Sequence, residues 1–100
     1  MGPHEALESM RNLFISYDLF TGDKAAAAVE AAIRRLGHAT RILSSVWYVK
    51  TDFTAEEARD RMGNAVQAQD RFLVLEADNA CGSLNLSQDT WKAIADNWYG

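Results

Sequence analysis

The chain has few of the residues that cross-link or interrupt a fold, since only one of its 100 residues is cysteine, one is proline and six are glycine. A lone Cys81 excludes an internal disulfide, which fits a reducing, cytoplasmic compartment, and we interpret it as a small buried thiol rather than a nucleophile. The low proline and glycine content argues against a long disordered tract. No apolar run approaches the roughly 20 residues that span a bilayer, and a secretory leader is missing, so we expect no membrane attachment.

Positive charge is also scarce, because 10 lysine and arginine residues face 14 acidic residues and leave a net charge of -4. This balance argues against broad, nonspecific nucleic-acid binding, although a local basic patch remains open. A chain of 100 residues with 48% hydrophobic side chains has the size and composition of one globular domain. We divide it into an N-terminal extension (1–9) before an alternative start at Met10, a core (10–78), and a C-terminal loop and amphipathic helix (79–100) that packs on the core or on a dimer partner.

Hydrophobic periodicity predicts four strands and three helices. The predicted strands cover residues 12–19, 40–43, 46–51 and 71–77. The predicted helices are an alanine-rich segment (24–36) between an Asp23 cap and a Gly37 stop, a segment that begins with the Thr54–Glu57 capping box, and a final segment capped by Ser87. Strand, helix, strand, strand, helix, strand and an additional C-terminal helix is the order of an α+β, ferredoxin-like βαββαβ sandwich.

The two faces of the predicted sheet differ in what covers them. Leu13, Ile15 and Tyr17 share one face of the first strand, whereas Phe14, Ser16 and Asp18 share the other. Both core helices cover one face, so Phe14, together with Phe72 or Val74, would form an apolar patch in water on the other. A two-fold homodimer would cover this patch, and the alternative is that the C-terminal helix folds over its own open face. The candidate dimer-interface residues are Phe14, Phe72, Val74, Trp91 and Trp98.

Several short segments carry a resemblance to a known family. They are ISYDL in the first strand, SSVWYVKTD around the third, TAEEARD in the second helix and DRFLVLEAD in the last strand. Together they resemble the SinR-like proteins and, more distantly, the CRISPR-associated protein 2 family and virulence-associated protein D, over about Met10 to Asp78. The resemblance implies a ferredoxin-like homodimer in which Asp18 faces its twin across the dimer axis. It also implies either a metal-dependent nuclease acting on RNA or double-stranded DNA, or a noncatalytic scaffold, and fold alone does not choose between them.

Asp18 is the candidate catalytic and metal-binding residue. Two carboxylates that meet at a two-fold axis repel each other unless a cation or a shared proton relieves them. Mg²⁺ is commonly held by one or two carboxylates with waters, and it can polarise a phosphodiester and supply a hydroxide nucleophile. The alternative is that Asp18 caps the loop after the strand by binding its own backbone, as aspartate commonly does in turns.

Other polar residues are candidates for contacts with nucleic acid. Ser16 shares the face of Asp18, and the hydroxyls of Ser44 and Ser45 in the predicted hairpin turn are suited to hold a water or a phosphate. Arg34, Arg35, Arg41 and Lys50 are candidate phosphate contacts, although we interpret Arg34 and Arg35, which lie near a helix end, as stabilising the helix dipole. Together with the resemblance, these residues favour a homodimeric, Mg²⁺-dependent phosphodiesterase acting on RNA or DNA. The alternative function is a noncatalytic homodimeric adaptor that binds protein or nucleic acid.

Overall fold

The computed structural model describes residues 10–20, 22–67, 69–77 and 86–98, which form one four-stranded sheet and three helices. The strands are β1 (Arg11–Asp18), β2 (His38–Leu43), β3 (Val46–Thr51) and β4 (Arg71–Ala77), and the helices are α1 (Asp23–Leu36), α2 (Ala55–Gly63) and α3 (Gln88–Trp98). The strand order is β2-β3-β1-β4, with antiparallel neighbours throughout. The predicted ferredoxin-like fold with an additional C-terminal helix is confirmed. The N-terminal extension, Cys81 and most of the loop before α3 lie outside the described residues.

The ends of α1 depend on two glycines. Gly22, and not Asp23 as predicted, occupies the N-cap position, and Gly37 ends the helix as predicted. A Cβ atom on Gly37 would overlap the carbonyl oxygen of Lys50 and lie 3.1 Å from the Cβ of Thr51. The chain therefore needs glycine here so that the end of α1 can pass close to β3.

The predicted capping box at the start of α2 is confirmed. The Glu57 backbone N–H donates to Thr54 Oγ1 at 3.1 Å, and the Thr54 backbone N–H donates to Glu57 Oε1 at 2.9 Å. These two bonds satisfy donors that a helix N-terminus otherwise leaves unpaired. They fix the start of a helix that buries Ala58 and Met62 against the sheet.

One face of the sheet forms the main core with α1 and α2. Its buried members are Leu13, Ile15, Tyr17, Val29, Ala32, Ile33, Leu36, Trp47, Val49, Ala58 and Met62. Phe72 and Val74 also pack against this core, so they do not belong to the open face as predicted. The strand register is the reason, because Phe72 lies opposite Tyr17 and Val74 opposite Ile15, and directly opposed residues share a face.

The second face of the sheet, here called the open face, is partly covered by α3. Ile94 and Trp98 form a second buried cluster with Tyr48, against which Phe14 and Ile42 pack. The rings of Tyr48 and Trp98 are stacked with centroids 5.9 Å apart. The alternative in which the C-terminal helix folds over its own sheet therefore holds for this part of the face. Trp98 is buried and Phe14 is partly buried within the chain, whereas Trp91 is 40% exposed.

A strip of the open face stays uncovered, because α3 lies mainly over β2 and β3. On β4, Leu73 and Leu75 are 55% and 56% exposed. They lie opposite Ser16 and Phe14 of β1, so they belong to the open face.

None of the helices in the described part of the chain is long and apolar enough to cross a bilayer.

Candidate nucleic-acid and metal site

The antiparallel sheet gathers several predicted polar residues at one of its ends. Asp18 is the last residue of β1, and the Ser44–Ser45 turn joins β2 to β3 beside it. The Tyr17 backbone N–H donates to the Ser45 carbonyl at 3.1 Å and ties the turn to β1. Asp18, Ser44 and Ser45 line one shallow cavity, and Ser16 and Asp18 line a second one. The structure thus brings Ser16, Asp18, Ser44 and Ser45 to one end of the sheet.

Asp18 has no structural task among the described residues. Its side chain is exposed, and within that part of the chain its carboxylate accepts no hydrogen bond and forms no ion pair. The loop after β1 is capped by a different aspartate, since the Phe20 backbone N–H donates to Asp70 Oδ1 at 2.8 Å. Asp70 also accepts a hydrogen bond from the Gln67 backbone N–H at 3.0 Å. Asp70 therefore fills the turn-capping role that was the alternative interpretation of Asp18.

Arg71 lies directly opposite Asp18 in the register of β1 and β4, and sequence reasoning missed it. Its exposed guanidinium lies over the ring of Phe20, 5.5 Å from the ring centroid, and Phe20 is itself 58% exposed. The predicted order of the strands could have indicated the position of Arg71. In a split βαβ sheet the end of the first strand lies beside the start of the last, which begins with Arg71.

Lys50 is not available to a phosphate, contrary to the prediction. Only 6% of the residue is exposed, and its ammonium donates to the Trp98 carbonyl at 2.7 Å and to Asn12 Oδ1 at 3.1 Å. Burial lowers the pKa of this amine. The cause is tertiary, because Lys50 shares the open face with Asn12 and the C-terminal end of α3 lies over both.

Arg41 lies on the opposite face of the sheet from Asp18. It pairs with Trp47 in the β2–β3 register, and its guanidinium lies 5.1 Å from the centroid of that ring. It also forms an ion pair with Glu30 of α1. The structure therefore does not bring Arg41 to the face that carries Asp18 and Ser16.

Asn12 is the centre of a buried polar network that sequence reasoning also missed. Its Nδ2 donates to the Trp98 carbonyl at 3.0 Å, and its Oδ1 accepts from the Tyr48 hydroxyl at 2.7 Å. Burial raises the pKa of Tyr48 to about 12. Together with Lys50, these groups attach the end of α3 to the sheet, so we assign the network to folding and not to chemistry.

The described residues supply too few ligands for a closed metal site. No group of three or more histidine, cysteine, aspartate or glutamate residues suited to a metal ion occurs among the described residues. The donors at the sheet end are the Asp18 carboxylate and the Ser16 hydroxyl, and such hard oxygen ligands are those that Mg²⁺ prefers. The donor chemistry of Asp18 and Ser16 fits Mg²⁺ but falls short of a full ligand set.

Comparison with models of known protein families found no match, and comparison with curated proteins found no significant similarity. The resemblance to SinR-like proteins and the CRISPR-associated protein 2 family therefore stays a prediction.

Proposed function

We propose that the chain is a cytoplasmic homodimer of the CRISPR-associated protein 2 type and a Mg²⁺-dependent phosphodiesterase acting on RNA or DNA. Asp18 carries the proposal, because this exposed carboxylate ends the central strand β1 and has no structural task in the described part of the chain. Asp70 supplies the loop cap that Asp18 would otherwise provide. A carboxylate that the fold itself does not use is available for a ligand.

The position of α3 supports a particular mode of dimerisation. Because α3 lies mainly over β2 and β3 and also covers Asn12 and Phe14, a second copy has access to the part of the open face formed by β4 and the end of β1. That part carries the exposed Leu73 and Leu75. A two-fold contact buries the same patch on both partners. On this face of β1 and β4, the pair Asp18–Arg71 follows the pair Ser16–Leu73. In the proposed dimer the two-fold axis passes near Leu73, and the two Asp18 side chains would then lie close to each other.

Pairing of the two carboxylates would make the proposed activity depend on a divalent ion. Two like charges brought together in an interface are unfavourable, and a cation relieves their repulsion. The two Asp18 side chains would hold the ion, and a bound Mg²⁺ supplies a Lewis acid for a phosphodiester. The Ser16 hydroxyl lies on the same face two residues earlier and would supply a further oxygen donor for the ion or its water.

A second candidate function, a noncatalytic homodimeric adaptor, is favoured by the engagement of two predicted phosphate contacts. The Lys50 ammonium is buried and hydrogen-bonded to the Trp98 carbonyl, and Arg41 forms an ion pair on the other face of the sheet. With a net charge of -4, the chain then has little positive charge with which to hold a duplex. In this alternative the same dimer presents its surface to a protein or a nucleic acid without cleaving it.

The test combines solution mass with cleavage assays. Light scattering on the purified chain is expected to give a dimer, and Leu73→Asp is expected to give a monomer. Labelled RNA, single-stranded DNA and duplex DNA are incubated with Mg²⁺, Mn²⁺ or a chelator, using wild type, Asp18→Asn and the control Asp52→Asn. Asp52 is exposed just after β3, at the opposite end of the sheet.

Three outcomes separate the candidates. Cleavage that needs a divalent ion, and is lost in a still dimeric Asp18→Asn but kept in Asp52→Asn, supports the phosphodiesterase. A dimer that cleaves none of the substrates supports the adaptor. A monomeric wild-type chain overturns both.

A further inference from the structure

Arg71 is the accessible cation on the face of Asp18. Of the two lysine or arginine residues that the described strands place on the open face, Lys50 is buried and bonded internally, whereas Arg71 is exposed. Although it lies opposite Asp18, Arg71 forms no ion pair with that carboxylate or with another residue in the described ranges. Its donors are therefore open to a ligand from solution.

The contact with Phe20 orients this guanidinium. The Arg71 Cζ lies 5.5 Å from the centroid of the Phe20 ring. Stacking on an aromatic face uses the π-surface of the guanidinium, and its N–H donors stay available for the bidentate recognition of a phosphate. An arginine held in this way loses less side-chain entropy when it binds an anion.

Phe20 has the exposure and the anchoring expected of a stacking platform. It is 58% exposed, yet its backbone N–H is fixed by the 2.8 Å hydrogen bond to Asp70 Oδ1. An exposed aromatic ring beside a cation is the usual combination for binding an unpaired base and its phosphate. Bases inside a duplex are stacked on each other and cannot use such a ring.

We propose that Arg71 and Phe20 form a single-stranded nucleic-acid contact beside Asp18, in which the guanidinium binds a backbone phosphate and the ring stacks on a base. The inference rests on the proposed function for its choice of nucleic acid, and it narrows the substrate to single strands. One arginine per chain also implies modest affinity, with a salt dependence of about -0.7 logarithmic units per phosphate contact.

The experiment is a fluorescence anisotropy titration of the full-length protein with short labelled RNA, DNA of the same sequence, and the matching duplex, in Mg²⁺ and in chelator. The variants are Arg71→Gln and Phe20→Leu, which keeps an apolar side chain but removes the aromatic face. The matched control is Arg35→Gln, since Arg35 is exposed near the end of α1 and contacts none of the described side chains through a polar bond. Light scattering confirms that each variant keeps the wild-type mass.

We expect single strands to bind more tightly than the duplex. Loss of one stacked base is worth about 1–3 kcal/mol, so Phe20→Leu should weaken single-strand binding by roughly 5- to 150-fold. Arg71→Gln should weaken it and reduce the salt slope by about 0.7 for each site lost, whereas Arg35→Gln should bind as wild type. The RNA and DNA arms show whether a 2′-hydroxyl contributes.

The inference is overturned if the duplex binds as tightly as single strands, if either variant at the contact binds as wild type, or if the losses merely follow dissociation of the dimer. Cleavage that depends on Asp18 but not on Arg71 or Phe20 refutes this inference and leaves the phosphodiesterase standing. Single-strand binding that depends on Arg71 and Phe20, without cleavage, supports the inference and refutes the phosphodiesterase.

Discussion

Replacing Asn12 by leucine tests whether the polar network really attaches α3 to the sheet. The substitution keeps a side chain of similar volume but removes both the Nδ2 donor to the Trp98 carbonyl and the Oδ1 acceptor of the Tyr48 hydroxyl. The fully buried Tyr48 hydroxyl loses its partner, and the Lys50 ammonium keeps only the Trp98 carbonyl. An unsatisfied buried group costs about 1–3 kcal/mol, and the Tyr48 hydroxyl is left in that state, so we expect Asn12→Leu to lower the free energy of unfolding by about 1–3 kcal/mol.

Replacing Lys50 by methionine should be much milder, although it removes a charge. Asn12 Nδ2 still donates to the Trp98 carbonyl, and the Tyr48 hydroxyl still donates to Asn12 Oδ1, so both acceptors keep a partner. The lowered pKa of Lys50 shows that burial disfavours its ammonium, and methionine avoids that cost. We expect a loss of less than about 1 kcal/mol, because the substitution leaves neither acceptor without a donor.

Urea denaturation, monitored by tryptophan fluorescence, gives the free energy of unfolding of both variants. The values are compared at equal m-value, the slope of that free energy against urea concentration. Lys92→Met is the matched control, because Lys92 lies on the exposed side of α3 and pairs with Asp96 at 3.2 Å. An exposed pair four residues apart on a helix contributes about 0.3–0.5 kcal/mol. The reasoning is refuted if Lys50→Met destabilises the chain as much as Asn12→Leu does, since the lysine and not the asparagine would then be the centre of the network.

Three further outcomes follow from local geometry. Burial raises the pKa of Tyr48 from 10.0 to about 12, so the stability gained by keeping this phenol neutral is fully present below pH 10.0 and is lost as pH rises towards 12. Urea titrations across this range should show a fall in the free energy of unfolding that Tyr48→Phe removes. The lowered pKa of Lys50 has the opposite sign, so its contribution to stability rises with pH up to the ordinary value of 10.5. Gly37→Ala should lower the free energy of unfolding by about 1–3 kcal/mol because the new Cβ would clash with the backbone. Gly63→Ala, with open space around it, should be neutral or stabilising, and thermal melts of both variants measure the difference. Thr54→Ala removes the cap of α2 and should cost about 1 kcal/mol in urea, and an unchanged midpoint would contradict the role of the capping box.

Local signals predicted the elements well because each has its own chemical marker. The hairpin turn lies at Ser44–Ser45, the capping box fixes the start of α2, and the Thr90 backbone N–H donates to Ser87 Oγ at 3.1 Å as expected for a helix cap. These features depend on residues within one turn of each other. Such short-range hydrogen bonds can therefore be predicted from the local amino-acid sequence.

The face of β4 was not predictable, because apolar residues occupy both sides of RFLVLEA. Phe72 and Val74 alternate with Leu73 and Leu75, so the period of two fits either orientation equally well. The register with β1 decides, since it places Val74 opposite the fully buried Ile15. The predicted interface residues Phe72 and Val74 therefore face the core, and the exposed residues are their neighbours Leu73 and Leu75.

The contacts of Lys50 and Arg71 were hidden for a related reason, since both depend on residues far apart in the sequence. A lysine in a strand is ordinarily expected in water, and Lys50 is buried because the last carbonyls of α3 lie over it. Carbonyl groups at a helix C-terminus attract cations, so this end of α3 is a suitable partner for an ammonium. Arg71 came to the face of Asp18 through the pairing of the first and last strands.

The open face thus has two parts with different physical demands. Over β2 and β3, stacked aromatic rings and a satisfied polar network leave little for a partner to gain. Over β1 and β4, exposed leucines lie beside an aspartate and an arginine that the described part of the chain leaves unpaired. Apolar area favours association, and unpaired charges favour a ligand of opposite sign. Because both features occur in the same part, a dimer contact and a binding site would form together and would be lost together when Leu73 becomes charged.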